Sequence, residues 1–382
     1  MVDNRPFFSV IIPCYNTKPE RMRELLESIY EAGCPEDIEV IVSNDRSTDE
    51  EFLSVVDAFD KNTIFIPDRQ EKYNPKKYYM DIKVYDTPDK NEEGIELIHC
   101  PGNTRQNGVN HANGKWVTFI DHDDLFIEGK LLKVKETIEE NGEQYFACAN
   151  FYQEDPIENV KKEEMIHTSN WMHAKFYNLD NFWKPYNLHF RINLFGNEDI
   201  CVSAQVNCAW YRINKDKTDD PAHIPTLWIE DFVYIWRSWP DSTSNLLYEK
   251  TNYMEKFFDN YMNATIDTYI EDYNKLVESG NITDYDINFH KMMHADVILY
   301  MYFYLQSFKF NHSNDYDLNI EFTIKKHIKD YYKRFNTTCI DLFNYIEYHE
   351  ERGKWYNDVW ESVKYGVGPF VEVDSFFDFI SK

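Results

Sequence analysis

Within the first 120 residues, short apolar runs alternate with helical segments, and this alternation constrains the fold more than any other feature. Phe7-Phe8-Ser9-Val10-Ile11-Ile12, closed by Pro13, reads as a buried strand. Residues 19–32 carry Met22, Leu25, Leu26 and Ile29 at helical spacing and stop at Gly33. Residues 38–42 read as a second strand, 95–100 as a third and 116–120 as a fourth. A helix opening at Pro101-Gly102 and ending near Gly114 separates the last two. Strands alternating with helices imply a parallel sheet covered on both faces. Ligands of such sheets sit beyond the carboxyl ends of the strands. Polar loops at residues 14–17, 44–49 and 121–124 occupy that edge.

The rest of the chain reads differently. Residues 60–94, rich in Tyr and Lys, are longer than a helix-to-strand connection requires and read as an insertion. After about residue 247 strand signals fade, and Tyr-, Phe-, Ile- and Leu-rich segments at helical spacing predict a helical C-terminal domain over 248–382. At 382 residues the chain has room for two domains. The formal net charge of −27 disfavours nonspecific binding to nucleic acid or anionic membranes, local patches excepted. One such patch is the basic run from Lys325 to Arg334, read first as a solvated helix face. Seven scattered cysteines without paired spacing, and no signal-peptide pattern, favour reduced thiols in a cytoplasm-like compartment. The longest apolar run, near residues 297–308, is too short to span a bilayer.

Chemistry concentrates at residues 121–124. Asp121, Asp123 and Asp124 repel one another just past a buried strand, and a cation among them relieves that repulsion. Oxygen ligands suit Mg²⁺ or Mn²⁺, which leave positions for substrate phosphates. The alternative is an aspartate that caps the following helix. Likewise Asn44-Asp45-Arg46-Ser47-Thr48-Asp49 offers either a carboxylate for a base N–H or an Asx turn and helix cap.

Several segments in order carry a resemblance. Residues 9–16 (SVIIPCYN), 42–49 (VSNDRSTD), 102–109 (GNTRQNGV) and 112–124 (ANGKWVTFIDHDD) resemble family 2 glycosyltransferases of the GT-A fold. Lys175-Phe176-Tyr177 through Leu188-His189-Phe190 to Asn197-Glu198-Asp199, then Tyr234-Ile235-Trp236-Arg237 with Ser242-Thr243-Ser244, continue it over about 245 residues.

The resemblance implies a GT-A-type, Rossmann-like, mostly parallel α/β sheet as catalytic domain over 1–247. It implies that Pro13, Tyr15 and Asp45 hold base and ribose, with Arg105 near base or diphosphate. Asp121 would face the ribose or donor sugar, and Asp123, with Asp124, would bind the metal. Asp199 would be the general base with Glu198 as neighbour, and Arg237, Ser242 and Ser244 would contact diphosphate oxygens. The implied activity is an inverting transfer from a nucleotide-sugar, UDP-sugar by default, to a saccharide or other hydroxyl, with a divalent metal (Mn²⁺ or Mg²⁺) as cofactor. The C-terminal helices are candidate surfaces for a homo-oligomer.

Three departures stand out: Asn44 replaces a second aspartate, Arg46 a small residue and Glu128 a usual proline. Glu230-Asp231 competes with Glu198-Asp199 as base, but lies within an apolar run that reads as a strand. A histidine between His167 and His223 could supply a further metal ligand, but a lone histidine is more often a packing or surface residue, so His167, His173, His189 and His223 are not assigned as ligands. Competing functions are a phage-type transfer to hydroxymethylated bases in DNA, and a non-catalytic nucleotide-sugar or carbohydrate-binding module. A nucleotidyltransferase would need a Gly-rich basic loop after the first strand, and residues 13–17 contain neither Gly nor Lys.

Overall fold

The computed structural model describes residues 5–49, 51–60, 80–142, 144–157, 160–164, 172–194, 198–214, 226–241, 263–311 and 318–338. Ser242, Ser244, His167, His223 and most of the expected insertion lie outside them. The chain divides into two compact units, Met1–Ala209 with Ile224–Lys250 and Trp210–His223 with Thr251–Lys382.

The first unit is built on one sheet. In chain order the elements through residue 237 are β1 (Phe8–Cys14), α1 (Pro19–Glu31), β2 (Ile38–Asn44), α2 (Glu51–Asp60), β3 (Asp81–Asp86), α3 (Pro101–His111), β4 (Trp116–Phe119), β5 (Leu125–Phe126), α4 (Lys130–Glu140), β6 (Phe146–Asp155), β7 (Val160–Glu164), β8 (Lys175–Asn178), α5 (Glu198–Asn214) and β9 (Leu227–Arg237). The strands order β3-β2-β1-β4-β8-β6-β9-β5, with β7 beside β6. β3, β2, β1 and β4 run parallel. β8 then pairs antiparallel with both β4 and β6, and β9 runs parallel to β6. This is a mixed α/β sheet flanked by helices.

Burial explains the central strands. Every residue of β1 and β2 is buried, because apolar side chains on both faces meet helices. Val10, Ile12, Val40 and Val42 pack with Met22, Leu25, Leu26 and Ile29 of α1 and with Phe52, Val55 and Phe59 of α2. On the other face α3 approaches so closely that a Cβ on Gly108 would lie 2.4 Å from Ile11. Glu39 is wholly buried in β2, yet fully used. It accepts hydrogen bonds from Ser9 Oγ (2.6 Å) and from the backbone N–H groups of Asn113 and Gly114 (2.5 and 2.9 Å), and Lys83 Nζ lies at 3.2 Å.

The third strand corrects the sequence reading. It is Asp81–Asp86, within the stretch read as an insertion, and residues 95–100 form no strand. As the edge strand, β3 buries Ile82 while leaving Val84 41% exposed, so its pattern looks too polar for a strand. Ile95 and Ile98 are also about half exposed and sit in a loop. Asn side chains supply the hydrogen bonds a strand neighbour would: Asn91 to the N–H of Ile95, and Asn193 to the N–H of Ile98.

The second unit is helical where it is described. α6 (Asn263–Glu278), α7 (Asp284–Asn311) and α8 (Leu318–Phe335) bury Ile266, Tyr269, Phe289, Ile298, Met301, Ile324, Ile328, Tyr331 and Phe335. No helix among the described residues is long and apolar enough to cross a membrane.

Candidate active site

Side chains from β1, β2, α3, the loop after β4, α5 and β9 gather at the carboxyl ends of the parallel strands. β1 stops pairing with β4 at Ile11, and Pro13, which has no N–H to donate, follows while still opposite Ser43 of β2. The chain then turns at Asn16, in the left-handed region at φ 46°. Asn16 Oδ1 accepts from the N–H groups of Thr48 (2.9 Å) and Asp49 (3.1 Å), which ties the first two loops together. Asn44 Oδ1 accepts from the N–H and the Oγ of Ser47 (3.2 and 2.6 Å), while its amide holds Asp86 of β3 at 2.8 Å.

Tyr15 remains 47% exposed, and its ring lies 5.1 Å from that of His99. Asp45 is buried beside it. Its carboxylate meets Arg46 at 3.2 Å and His99 at 3.4 Å. Burial raises the Asp45 pKa, opposed by His99 and Arg46. An exposed ring beside a carboxylate makes a shelf that can take a flat heterocycle.

Arg105 of α3 bridges two parts of the site. Its guanidinium donates to Asp121, just past β4, and to Glu198, at the start of α5. Burial disfavours the charge on Asp121, but Arg105 outweighs it and holds that carboxylate below its usual range. Asp199 is the reverse case. Burial and then the neighbouring Glu198 push it up to about 7, against Arg105 and Lys175. It also accepts from the N–H of Ile200 at 2.9 Å, in the first turn of α5, where a carboxylate is favoured.

The aspartates after β4 have different surroundings. Asp124 does not cap α4, whose N-cap is Gly129. It turns instead to β9, accepting from the Tyr234 hydroxyl and from the N–H of Arg237 (2.7 Å). Burial, then the charges of Asp123 and Asp121, raise its pKa well above the usual carboxylate range. The carbonyl of Asp123 accepts from Arg237 Nε and from Trp239 Nε1 at 3.3 Å, and Arg21 Nη1 lies 3.9 Å from its carboxylate. The Arg21 guanidinium also lies 4.1 Å over the Trp239 ring.

Ligand atoms of Asp121, Asp124 and His173 lie within 4.8 Å of one another, the one such trio among the described residues. Burial lowers the His173 pKa to about 4 despite the pull of Asp121, so the imidazole is neutral at physiological pH. Two carboxylates and a neutral imidazole fit a divalent cation such as Mn²⁺. The grouping includes Asp121 and His173 but leaves Asp123 outside it. The Glu230-Asp231 pair falls where β9 carries extra residues opposite Asn150, and Asp231 is held by Lys130 at 2.7 Å.

The sequence carries no signal for Arg21, His99 or Trp239, and His173 looks there like a packing histidine. None lies in the acidic loop or in a motif of its own. Tyr234 lies in the same segment as Arg237, but only the pairing of β5 with β9 reveals its partner Asp124.

A profile described as "Glycosyl transferase family 2" matches residues 9–75 and 82–196, the stretches that form β1 to β4 and the loops just described. Over that stretch the chain is similar to glycosyltransferase family 2. It is 26% identical over 225 residues to a GalNAc(5)-diNAcBac-PP-undecaprenol beta-1,3-glucosyltransferase of Campylobacter jejuni, over 56% of this chain and 61% of that protein. The match thus spans less than two thirds of the relative's length. Among solved structures, residues 1–349 of S. aureus TarS in complex with UDP-GlcNAc superpose with a TM-score of 0.55 at 17% identity, covering 85% of this chain and 80% of that one. The longer S. aureus TarS structure gives 0.54 at 16% identity, over 98% of this chain and 55% of that one. These likenesses show that the chain has the GT-A-type fold.

Proposed function

We propose that the enzyme is metal dependent and inverting, and that it moves a sugar from a nucleotide-sugar, UDP-sugar foremost, to a hydroxyl of a saccharide acceptor. The observation that carries this reading is the trio Asp121, Asp124 and His173 beside Asp199 and Arg105 at one sheet edge. The donor class is supported by the likeness to TarS, whose structure holds UDP-GlcNAc. A saccharide acceptor is in keeping with the Campylobacter relative, named as a glucosyltransferase for an undecaprenol-linked glycan. Residues 1–247 would form the catalytic domain and 248–382 the helical one.

Tyr15 stacks on the base, Asp45 accepts from a base N–H, and Pro13 shapes the floor of that subsite. A divalent cation held by Asp121, Asp124 and His173, with Asp123 beside it, would neutralise charge on the departing diphosphate. Arg237 lends its guanidinium to the same oxygens. Asp199 takes the proton of the acceptor hydroxyl as its oxygen bonds to the anomeric carbon. The bond from that carbon to the diphosphate oxygen breaks, and the configuration inverts. A carboxyl titrating near 7 is well matched to this role, because it is partly ionised near neutral pH and basic enough to accept.

The test is a thermal-shift panel of UDP-, GDP-, CMP- and dTDP-sugars, each with Mn²⁺ and with EDTA. Ligand at a hundredfold excess over its dissociation constant adds about 2.7 kcal/mol of stability. A Mn²⁺-dependent shift with one nucleotide class, abolished in His173→Ala, is expected. Equal shifts with Mn²⁺ and EDTA would overturn the metal-dependent reading.

A further inference from the structure

The chain is acidic overall, with a formal charge of −27. In the helical unit this shows on α6, whose exposed charged residues are Asp267, Glu271 and Glu278 against Lys275. α8 departs from it. One side of α8 is buried through Ile324, Ile328, Tyr331 and Phe335, with Tyr331 Oη reaching the carbonyl of Lys291 at 3.3 Å. The opposite side exposes Lys326, Lys329 and Lys333, and Phe322 at 72% exposure. No large hydrophobic among the described residues is more exposed than Phe322. At 3.6 residues per turn and 1.5 Å rise, these four side chains leave the helix within about 60° of each other over about 16 Å.

The other charges on α8 do not cancel the stripe. Lys325 lies to one side and is paired with Glu321 at 2.9 Å. Asp330 is the one exposed acid described on the helix, and it sits on the flank rather than on the line from Phe322 to Lys333. The helix therefore presents three aligned cations ending in a bare aromatic ring, on a protein whose other charges are mostly negative.

We infer that this face of α8 docks on an anionic lipid surface, with Phe322 seated at the headgroup–acyl boundary and the three lysines on lipid phosphates. The overall negative charge does not forbid this. At physiological salt the Debye length is about 8 Å, so lysines in contact with headgroups outweigh carboxylates farther away. Lysine stems suit such a boundary, keeping their alkyl chains along apolar surface and their ammonium groups in the polar layer. Each lysine near an anionic surface contributes about 1 kcal/mol, and an aromatic ring adds burial that no polar residue at position 322 could. A nucleic acid fits less well, because three cations neutralise few phosphates and a chain this acidic repels the rest. Contact of this kind is peripheral and does not depend on the acceptor proposed above.

The experiment is flotation of the full chain with vesicles of phosphatidylglycerol and phosphatidylethanolamine, and with phosphatidylcholine vesicles alone, at low and high salt. The expected result is flotation only with the anionic vesicles, weakened at high salt. It should fall on the order of a hundredfold in K326E/K329E/K333E and by several-fold in F322S. Because these residues are exposed, the thermal transition should not move. The milder K326Q/K329Q/K333Q provides a second reading of the same stripe. Failure of the native chain to float, or equal flotation of the triple variants, would overturn the proposal. So would stripe-dependent binding to duplex DNA without binding to vesicles.

Discussion

Tyr234 of β9 gives its hydroxyl hydrogen to the carboxylate of Asp124, which holds the acidic loop after β4 against a strand 110 residues later in the chain. The N–H of Arg237 engages the other carboxylate oxygen, so the loop is fixed at two points. Removing the hydroxyl in Tyr234→Phe leaves a buried acceptor short of a partner, at a cost of about 1–3 kcal/mol. We expect a lower denaturant midpoint and a weaker Mn²⁺-dependent shift with donor, because the aspartates lose their fixed spacing. Unchanged urea unfolding would show that the contact contributes nothing.

Asp199 offers a test in which activity and stability move in opposite directions. Its pKa, about 7 in the folded chain against 3.8 for a free carboxyl, is raised by burial and by Glu198. The folded state thus binds the proton more tightly than the unfolded state, and Asp199 lowers stability as pH rises from about 4 to 7. Asp199→Asn removes that penalty. The variant should melt higher than the native chain at pH 8, with the advantage shrinking toward pH 5, while turnover drops by roughly 10²–10⁴. Full turnover in Asp199→Asn would remove this residue from the base role.

Arg105 favours the ionised form of Asp199 from a distance while pairing with Asp121 and Glu198. In Arg105→Gln that support is lost, and the acid limb of the pH–rate profile should move to higher pH. A merely structural arginine would lower the rate at every pH without shifting the limb. Profiles of kcat against pH for both proteins separate the two.

The sequence disclosed the sheet wherever burial was two-sided. β1, β2 and β4 are continuous apolar runs because helices or neighbouring strands cover both faces. It misled where a strand lay at the edge. The alternation of β3 imitates a loop, whereas Ile95 and Ile98 imitate a strand. Asp121, Arg105 and Glu198 could be named in advance, since each sits in a segment whose order along the chain is informative. His173 could not, because nothing around it differs from an ordinary packing histidine until β8 brings it beside Asp121. Its ring stacks on Trp236 at 5.6 Å, which is also how a core histidine would look.

The close approach of α3 to β1 yields a prediction about the scaffold that carries Arg105. A Cβ at Gly108 would stand 2.4 Å from Ile11 Cγ2, far inside contact distance, and Ile11 is itself fully buried between sheet and helix. Gly108→Ala must therefore push α3 outward or force Ile11 off its rotamer, a change that typically costs about 1–3 kcal/mol. Arg105 lies one helical turn from Gly108, so the displacement should reach its contacts with Asp121 and Glu198. Ile11→Leu in the same chain removes the Cγ2 methyl group that the added carbon would strike and should return part of both stability and activity. Paired thermal melts and donor-turnover assays on the two single variants and the double variant measure this coupling. Strict additivity would show that the helix accommodates the methyl group without pressing on Ile11.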